Sequence, residues 1–367
     1  MLRGIAIALA SLALLGALLW WWIGGSTGVV ASALPDFPDW PSPPQRLAAD
    51  EAGRLHFASL TPYDFDVILN RLEGALPTTG VGTLVLPDGA SEAEPAPAVV
   101  LLHGSGGIKA GREMDTAEWL AGEGIAAFVV DYYAPRGIDP VHDYMLKVVA
   151  VTEFDATADA YGALRLLSTH PALDGERIAL MGHSYGGMAV RLAMDERVRE
   201  ALAPQHPGFA AFVDVYGPCF QVFGTRRTNG APLLTLRGTE DASNELPACE
   251  RREQELRALG VEVEAHVFEG AGHAWESEEP RSLREDKPYV AGCEVNYDAA
   301  GWPSVNGIPL ARLDPDSPRP ARITARLTHG RPLGECVKYG YVVGTDPETK
   351  RLAREHTLGF LRRTLVR

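Results

Sequence analysis

Cysteine is scarce in this chain: the 367 residues hold four, and none precedes Cys219. No acceptor for lipid attachment is therefore expected near the N-terminus. There is no C-x-x-C pair and no cluster of cysteine and histidine at metal-ligand spacing, so no metal is expected. Positive charge is also short. Lys and Arg number 34 against 48 Asp and Glu, a formal net charge of -14. An acidic surface repels phosphate backbones, so nucleic acid is not an expected partner. No arginine pair precedes the first apolar run, which argues against a twin-arginine signal. Internal repeats and long low-complexity tracts are missing too. Hydrophobic residues at 46% and charged residues at 22% exclude wholesale disorder. The length fits one large domain or two smaller ones.

What is present begins at the N-terminus. Arg3 precedes an uncharged, mostly apolar run from Gly4 to Ile23 that ends in Trp20-Trp21-Trp22. Twenty helical residues rise about 30 Å, enough to cross the hydrocarbon core of a bilayer. The lone arginine favours the inner side and the tryptophans the outer interface. Residues 1–33 are thus read as a retained membrane anchor, or as a signal peptide cut after Ala31-Ser32-Ala33. Either reading exports the rest to the periplasm or the cell exterior, tethered to the cytoplasmic membrane if residues 4–23 stay. Pro35, Pro38, Pro41, Pro43 and Pro44 then predict an extended, Pro-rich linker over 34–54. A single domain is expected over 55–367.

Within that domain, apolar strand-like runs alternate with helical patterns. Strands are expected at Thr83–Leu86, Ala98–Leu102, Ala126–Val130, Arg177–Met181, Phe212–Val215, Leu233–Leu236 and Val261–Phe268. Helices are expected at Met114–Gly122, Asp155–Ser168, Glu245–Leu259 and after Asp346-Pro347, where a capping residue precedes a proline in the first turn. Such alternation implies an α/β fold: a mostly parallel sheet with helices on both faces. The stretch 274–344 has no clean period and is rich in Pro, Gly and charge. It reads as an inserted strap or lid before the last helix.

Gly182-His183-Ser184-Tyr185-Gly186 matches G-x-S-x-G, between an expected strand and an expected helix. A serine there sits on a tight turn at the carboxyl edge of the sheet, beside a helix N-terminus that favours a developing oxyanion. Serine at neutral pH needs a base, and the base an orienting acid, in the order Ser, Asp or Glu, His. Asp241 follows the strand Leu233–Leu236 and is the expected acid, with Glu240 and then Asp214 as rivals. His273, in a Gly-rich loop after Val261–Phe268, is the expected base. His206, His266, His329 and His356 are the other downstream candidates. His183 and His103 read as structural. His103-Gly104-Ser105-Gly106-Gly107 closes an apolar strand. Its backbone N–H of Ser105, or of Gly104, would pair with that of Tyr185 as an oxyanion hole. The loop is not a dinucleotide fingerprint, because Lys109 stands where the third glycine would be.

These blocks, with Asp131-Tyr132-Tyr133-Ala134-Pro135-Arg136-Gly137, Gly238-Thr239-Glu240-Asp241 and Gly272-His273, resemble the dienelactone hydrolase family of α/β-hydrolases. The resemblance covers roughly 55–274 and the last helix. It implies an α/β-hydrolase fold and hydrolysis of a small-molecule carboxylic ester or lactone through an acyl-enzyme, without a cofactor. The enzymes that name the family carry cysteine at the nucleophile position, where this chain has Ser184. Arg136 is read either as meeting an acidic substrate group or as a structural ion pair. The alternatives are a peptidase or acyltransferase of the same fold, and a non-catalytic binding protein on the scaffold. In an exported chain, Cys219, Cys249, Cys293 and Cys336 are expected to pair, with Cys219–Cys249 and Cys293–Cys336 favoured because the second would staple the insertion. Each bond would add roughly 3–4 kcal/mol. Nothing in the sequence indicates an oligomeric state.

Overall fold

The computed structural model describes residues 26–366, apart from 110, 140, 311 and 315. The run Gly4–Ile23 lies outside the described residues, and among those described no helix is long and apolar enough to cross a membrane. Ala31-Ser32-Ala33 falls in the last turn of a short helix, Ser26–Ala33.

Fourteen strands are described, β1 (Gly53–Thr61), β2 (Leu76–Val85), β3 (Ala96–Leu102), β4 (Ala126–Asp131), β5 (Leu173–His183), β6 (Ala211–Val215), β7 (Gln221–Val222), β8 (Leu233–Gly238), β9 (Val263–Phe268), β10 (Ser282–Val290), β11 (Val295–Tyr297), β12 (Pro303–Val305), β13 (Ile308–Pro309) and β14 (Val337–Val343). Eight of them form the main sheet in the order β1-β2-β4-β3-β5-β6-β8-β9. The β1–β2 and β2–β4 pairs are antiparallel, and every later pair in that sheet is parallel. The expected strands are all found, several of them longer. β5 starts at Leu173 and β2 at Leu76, while β9 starts two residues later than expected, at Val263.

Strand β3 shows why the central runs are wholly apolar. Ala98, Val100 and Leu102 pack into one core with Phe154, Tyr161 and Leu164 of the helix Glu153–Leu167. Val99 and Leu101 pack into a second core with Leu120 of the helix Glu113–Gly122 and Phe360 and Leu361 of the last helix, Pro347–Leu365. Alternate side chains point to opposite faces, and both faces are covered. The order β4-β3-β5 also makes the chain switch direction between β3 and β5. Crevices for ligands open at the carboxyl ends of strands at such a point.

Two segments read from composition alone take on more structure than their sequence indicates. The Pro-rich segment is not a free spacer. Leu47 is buried against the first core, Trp40 packs on the His56 ring, and the Asp36 backbone lies on Gly137. Its apolar side chains gain more by covering the domain than by staying in water. The stretch 274–344, expected as an inserted strap or lid, contains regular elements despite its lack of period. It holds a β10–β14 ribbon, a small sheet of β11, β12 and β13 that joins β7, and a helix, Arg319–Leu333. The short two-stranded pieces carry no long apolar run, so their period is hidden. Cys219 pairs with Cys249, and Cys293 with Cys336, the latter across the base of the ribbon.

Candidate active site

Strand β5 ends at His183, and Ser184 turns directly into the helix Tyr185–Ala193. Ser184 has φ 54° and ψ -112°, a left-handed conformation that a non-glycine residue rarely adopts. The turn is so tight that the flanking positions admit no side chain. A Cβ on Gly182 would lie 2.2 Å from the Gly186 carbonyl oxygen, and one on Gly186 would lie 2.7 Å from that of Leu102. The elbow therefore raises the Ser184 hydroxyl above the sheet edge.

Asp241 follows β8 and His273 follows β9. The structure brings all three side chains together. His273 Nε2 lies 2.9 Å from Ser184 Oγ, and Nδ1 lies 2.6 Å from Asp241 Oδ2. A carboxylate only accepts, so Nδ1 carries the hydrogen and Nε2 is left to accept from the serine. Asp241 is buried and fully engaged. Ser243 donates to Oδ1 through both its amide (3.0 Å) and its hydroxyl (2.5 Å), and Asn244 Nδ2 donates to Oδ2 at 2.8 Å. Asn244 is fixed in turn by Arg237, which donates to its Oδ1 at 2.7 Å, and by the Tyr216 carbonyl.

The rival residues are occupied elsewhere. Glu240 is at the surface and pairs with Arg281. Asp214 is buried between Arg191 and Arg237. His206 bonds Ser168, and His266 stacks on His356. The side chain of His329 lies outside the described residues. His103 Nδ1 bonds the Gly104 carbonyl, which braces the loop after β3. His183 points away from Ser184 into the core, where burial holds its imidazole below the ordinary value. Arg136 is buried in an ion pair with Asp159 and also donates to the carbonyls of Tyr132 and Leu60, which leaves it a structural role.

Ser105 lines the same cavity as Ser184, and Tyr185 opens the helix that follows it. Gly104 approaches the serine so closely that a Cβ there would touch Ser184 Cβ at 3.2 Å. The Ser105 carbonyl accepts from the Tyr133 hydroxyl at 3.0 Å, so this loop is pinned from the Asp131–Gly137 block. The Tyr185 ring turns away and donates to buried Glu153 at 2.8 Å, leaving its amide in the first turn of the helix. Among the described residues, a cavity of about 280 Å³ opens over Ser184 and His273, with Ser105, Arg112, Tyr144 and Tyr341 in its wall.

Several site residues escaped the sequence reading. Arg112 is almost buried, pairs with Glu113 and donates to the Gly107 carbonyl at 3.0 Å, and no motif flagged it. Ser243 and Asn244 were visible only as a polar turn. The most consequential lies in the insertion. The His273 amide donates to the Val342 carbonyl of β14 at 2.7 Å, and the His273 carbonyl accepts from Gly344 at 3.0 Å. The Tyr341 ring meets the His273 ring edge-on at 5.4 Å.

A mostly parallel sheet with helices on both faces, a serine on a strand-to-helix elbow, and an acid and histidine on later strand ends define the α/β-hydrolase class. The chain belongs to the dienelactone hydrolase family, whose model matches residues 82–301, and that family is one of ester-hydrolysing enzymes. Solved structures are similar to part of the chain. One from Klebsiella pneumoniae subsp. pneumoniae, described as a dienelactone hydrolase, is 22% identical with a TM-score of 0.43, over 60% of this chain and 88% of that one. Esterase 2 of Thermogutta terrifontis, solved phosphorylated by paraoxon, is 19% identical with a TM-score of 0.42, over 53% and 79%. No curated protein matches the chain.

Proposed function

We propose that this protein is an exported serine hydrolase that cleaves a carboxylic ester or lactone through an acyl-enzyme on Ser184. The observation that carries the reading is the unbroken relay from Asp241 through His273 to Ser184 at the strand-helix elbow. His273 Nε2 takes the hydroxyl proton as Ser184 adds to the carbonyl carbon. The oxyanion sits toward the amides of Ser105 and Tyr185, with the helix N-terminus behind them. The protonated imidazole then gives its proton to the departing alcohol oxygen; in a lactone that alcohol stays attached to the acyl group. Water repeats the sequence and frees Ser184. Asp241, held by the Ser243 and Asn244 donors, orients and stabilises the imidazolium.

The export part of the proposal rests on the run Gly4–Ile23, which serves as anchor or cleaved signal. Two paired cysteine sets suit an oxidising compartment. A fluorophosphonate probe tests the chemistry. The full chain is expected to label once, and Ser184→Ala not at all. If the wild type does not label, or the variant labels equally, the chain is a binding protein on a hydrolase scaffold. A panel of esters, lactones and peptides then separates an esterase from a peptidase.

A further inference from the structure

A second cluster of ligating side chains lies on the edge strand, apart from the relay. Glu264 and His266 are two residues apart on β9, so they share the face that the last helix covers. His356 comes from that helix. Its ring stacks on that of His266 with centroids 3.6 Å apart and 26° between planes. His266 Nε2 lies 2.8 Å from Glu264 Oε1, and one ligand atom from each of the three residues lies within 4.8 Å of the others. None of the three lines the cavity over Ser184, and the hydrolytic reading gives them no task.

We propose that Glu264, His266 and His356 form a binding site for a first-row divalent transition ion of the zinc type. Two imidazole nitrogens and one carboxylate oxygen are a borderline donor set, which suits Zn²⁺ far better than Ca²⁺ or Mg²⁺. Bonds of about 2.0–2.2 Å place ligand atoms of a tetrahedral ion roughly 3.3 Å apart. The set must therefore draw in by about 1.5 Å at its widest, a shift within reach of part-exposed side chains by rotamer adjustment. His266 and Glu264 already stand at hydrogen-bond distance, so an ion would replace the shared proton. Arg363 pairs with Glu264 Oε2 and orients the carboxylate from behind, as outer partners of metal ligands commonly do. Three protein ligands leave a fourth position to water.

The ion would tie the outermost strand to the C-terminal helix. Strand β9 runs on into the Gly-rich loop that carries His273, so the tie is structural and sits one loop away from the chemistry. The test uses the full chain, purified without a histidine tag, titrated with ZnCl₂ by calorimetry and thermal melting. One Zn²⁺ per chain with a micromolar Kd and a raised Tm is expected. His266→Ala and His356→Ala should each lose the binding and the Tm shift, and Glu264→Gln should weaken both. Fluorophosphonate labelling of Ser184 should be the same with and without Zn²⁺. As a second reading on the unmutated chain, Co²⁺ should give the intense visible absorption of a four- or five-coordinate ion. The proposal is overturned if the wild type takes up no Zn²⁺ in the micromolar range, if the two histidine variants bind it unchanged, or if Co²⁺ shows only the faint spectrum of its hydrated form. None of these outcomes depends on whether Ser184 is a nucleophile.

Discussion

Ser184 and Asp241 stand at the ends of β5 and β8, strands flanked on both sides by parallel neighbours. His273 stands on a loop whose backbone is paired with β14, a strand of the insertion. The first two are placed by the packed sheet. The third is placed by a region of ribbons, ion pairs and one disulfide. A Cβ on Gly272 would lie 2.7 Å from both Val342 Cγ1 and the Val342 carbonyl. The glycine before the histidine is thus needed for this close approach. The insertion is less a lid over a finished site than a clamp on one of its three members.

That contrast can be broken most directly at the two ends of the relay. Asp241→Asn acts on the sheet side. It keeps the shape, but the Ser243 donors hold the remaining oxygen and the amide N–H₂ then faces His273, which fixes the wrong tautomer, and kcat should fall about 10³- to 10⁴-fold. Steady-state hydrolysis of an activated ester checks this, and a loss under tenfold would mean that another carboxylate orients His273. Gly272→Val acts on the insertion side. It drives β14 and the histidine loop apart, and a displacement of about 1 Å at the base should cost roughly 10²-fold in kcat. Its KM should rise as well, since Tyr341 and Val343 of β14 line the cavity and move with the strand. If kcat is unchanged, the clamp reading fails.

The same contrast explains what could be read from the chain alone. β3 and most of β4 are continuous apolar runs, and β5, β6 and β8 each carry an apolar core, because both faces of the sheet are covered. Their ends carry Gly104, Asp131, Ser184 and Asp241, so the order of the site residues was legible too. β1 was not. Its inward residues include Ser59 and Thr61, which stay buried by bonding Asp159 and Thr78, and their polarity hides the alternation. The insertion was legible only as a departure from pattern. Its order comes from pairings distant in sequence, such as Ser282 with Val343 and Arg322 with Asp64, that no local window contains. The link between Val342 and His273 is of this kind, and so is the meeting of His266 with His356. Leu47 was passed over because prolines and charged residues surround it.

The two disulfides offer a finer comparison. Cys219–Cys249 closes 30 residues of the sheet region, and Cys293–Cys336 closes 43 residues of the insertion. Loop-closure entropy is similar for the two, roughly 3–4 kcal/mol each. Their effects on rate should differ. The second bond lies just beyond Val290 and Val337, where Ala291 donates to the Cys336 carbonyl at 3.0 Å, and fixes the β10–β14 ribbon from the end opposite His273. Replacing Cys293 and Cys336 by serine should lower kcat about tenfold through a looser His273, whereas Cys219→Ser with Cys249→Ser should change it less than about twofold. Melting curves and kcat, measured on both double variants, check the split. Equal losses of kcat would show that the insertion holds the base no more closely than the sheet does.

The smallest effect expected is a local one, at the seam between the two regions. Glu153 is buried beneath Tyr185 and meets Arg326 of the insertion helix at 3.0 Å, with Tyr185 and Gln221 donating to it as well. Burial alone would raise this carboxyl, but the Arg326 guanidinium and these donors hold it below the ordinary glutamate value. A carboxyl whose folded value is depressed contributes stability above its unfolded value and loses that contribution as pH falls through the folded one. The seam should therefore weaken below about pH 4.3. Hydrogen exchange at pH 7 and pH 4, corrected for the intrinsic rate, should show the helix Arg319–Leu333 losing up to about threefold in protection while β3 and β5 keep theirs. Arg326→Met should reproduce that loss at pH 7, because it leaves Glu153 buried without its cation. If the helix and the central strands lose protection together, the insertion and the sheet unfold as one unit, and the division between a self-sufficient sheet and a docked clamp does not hold.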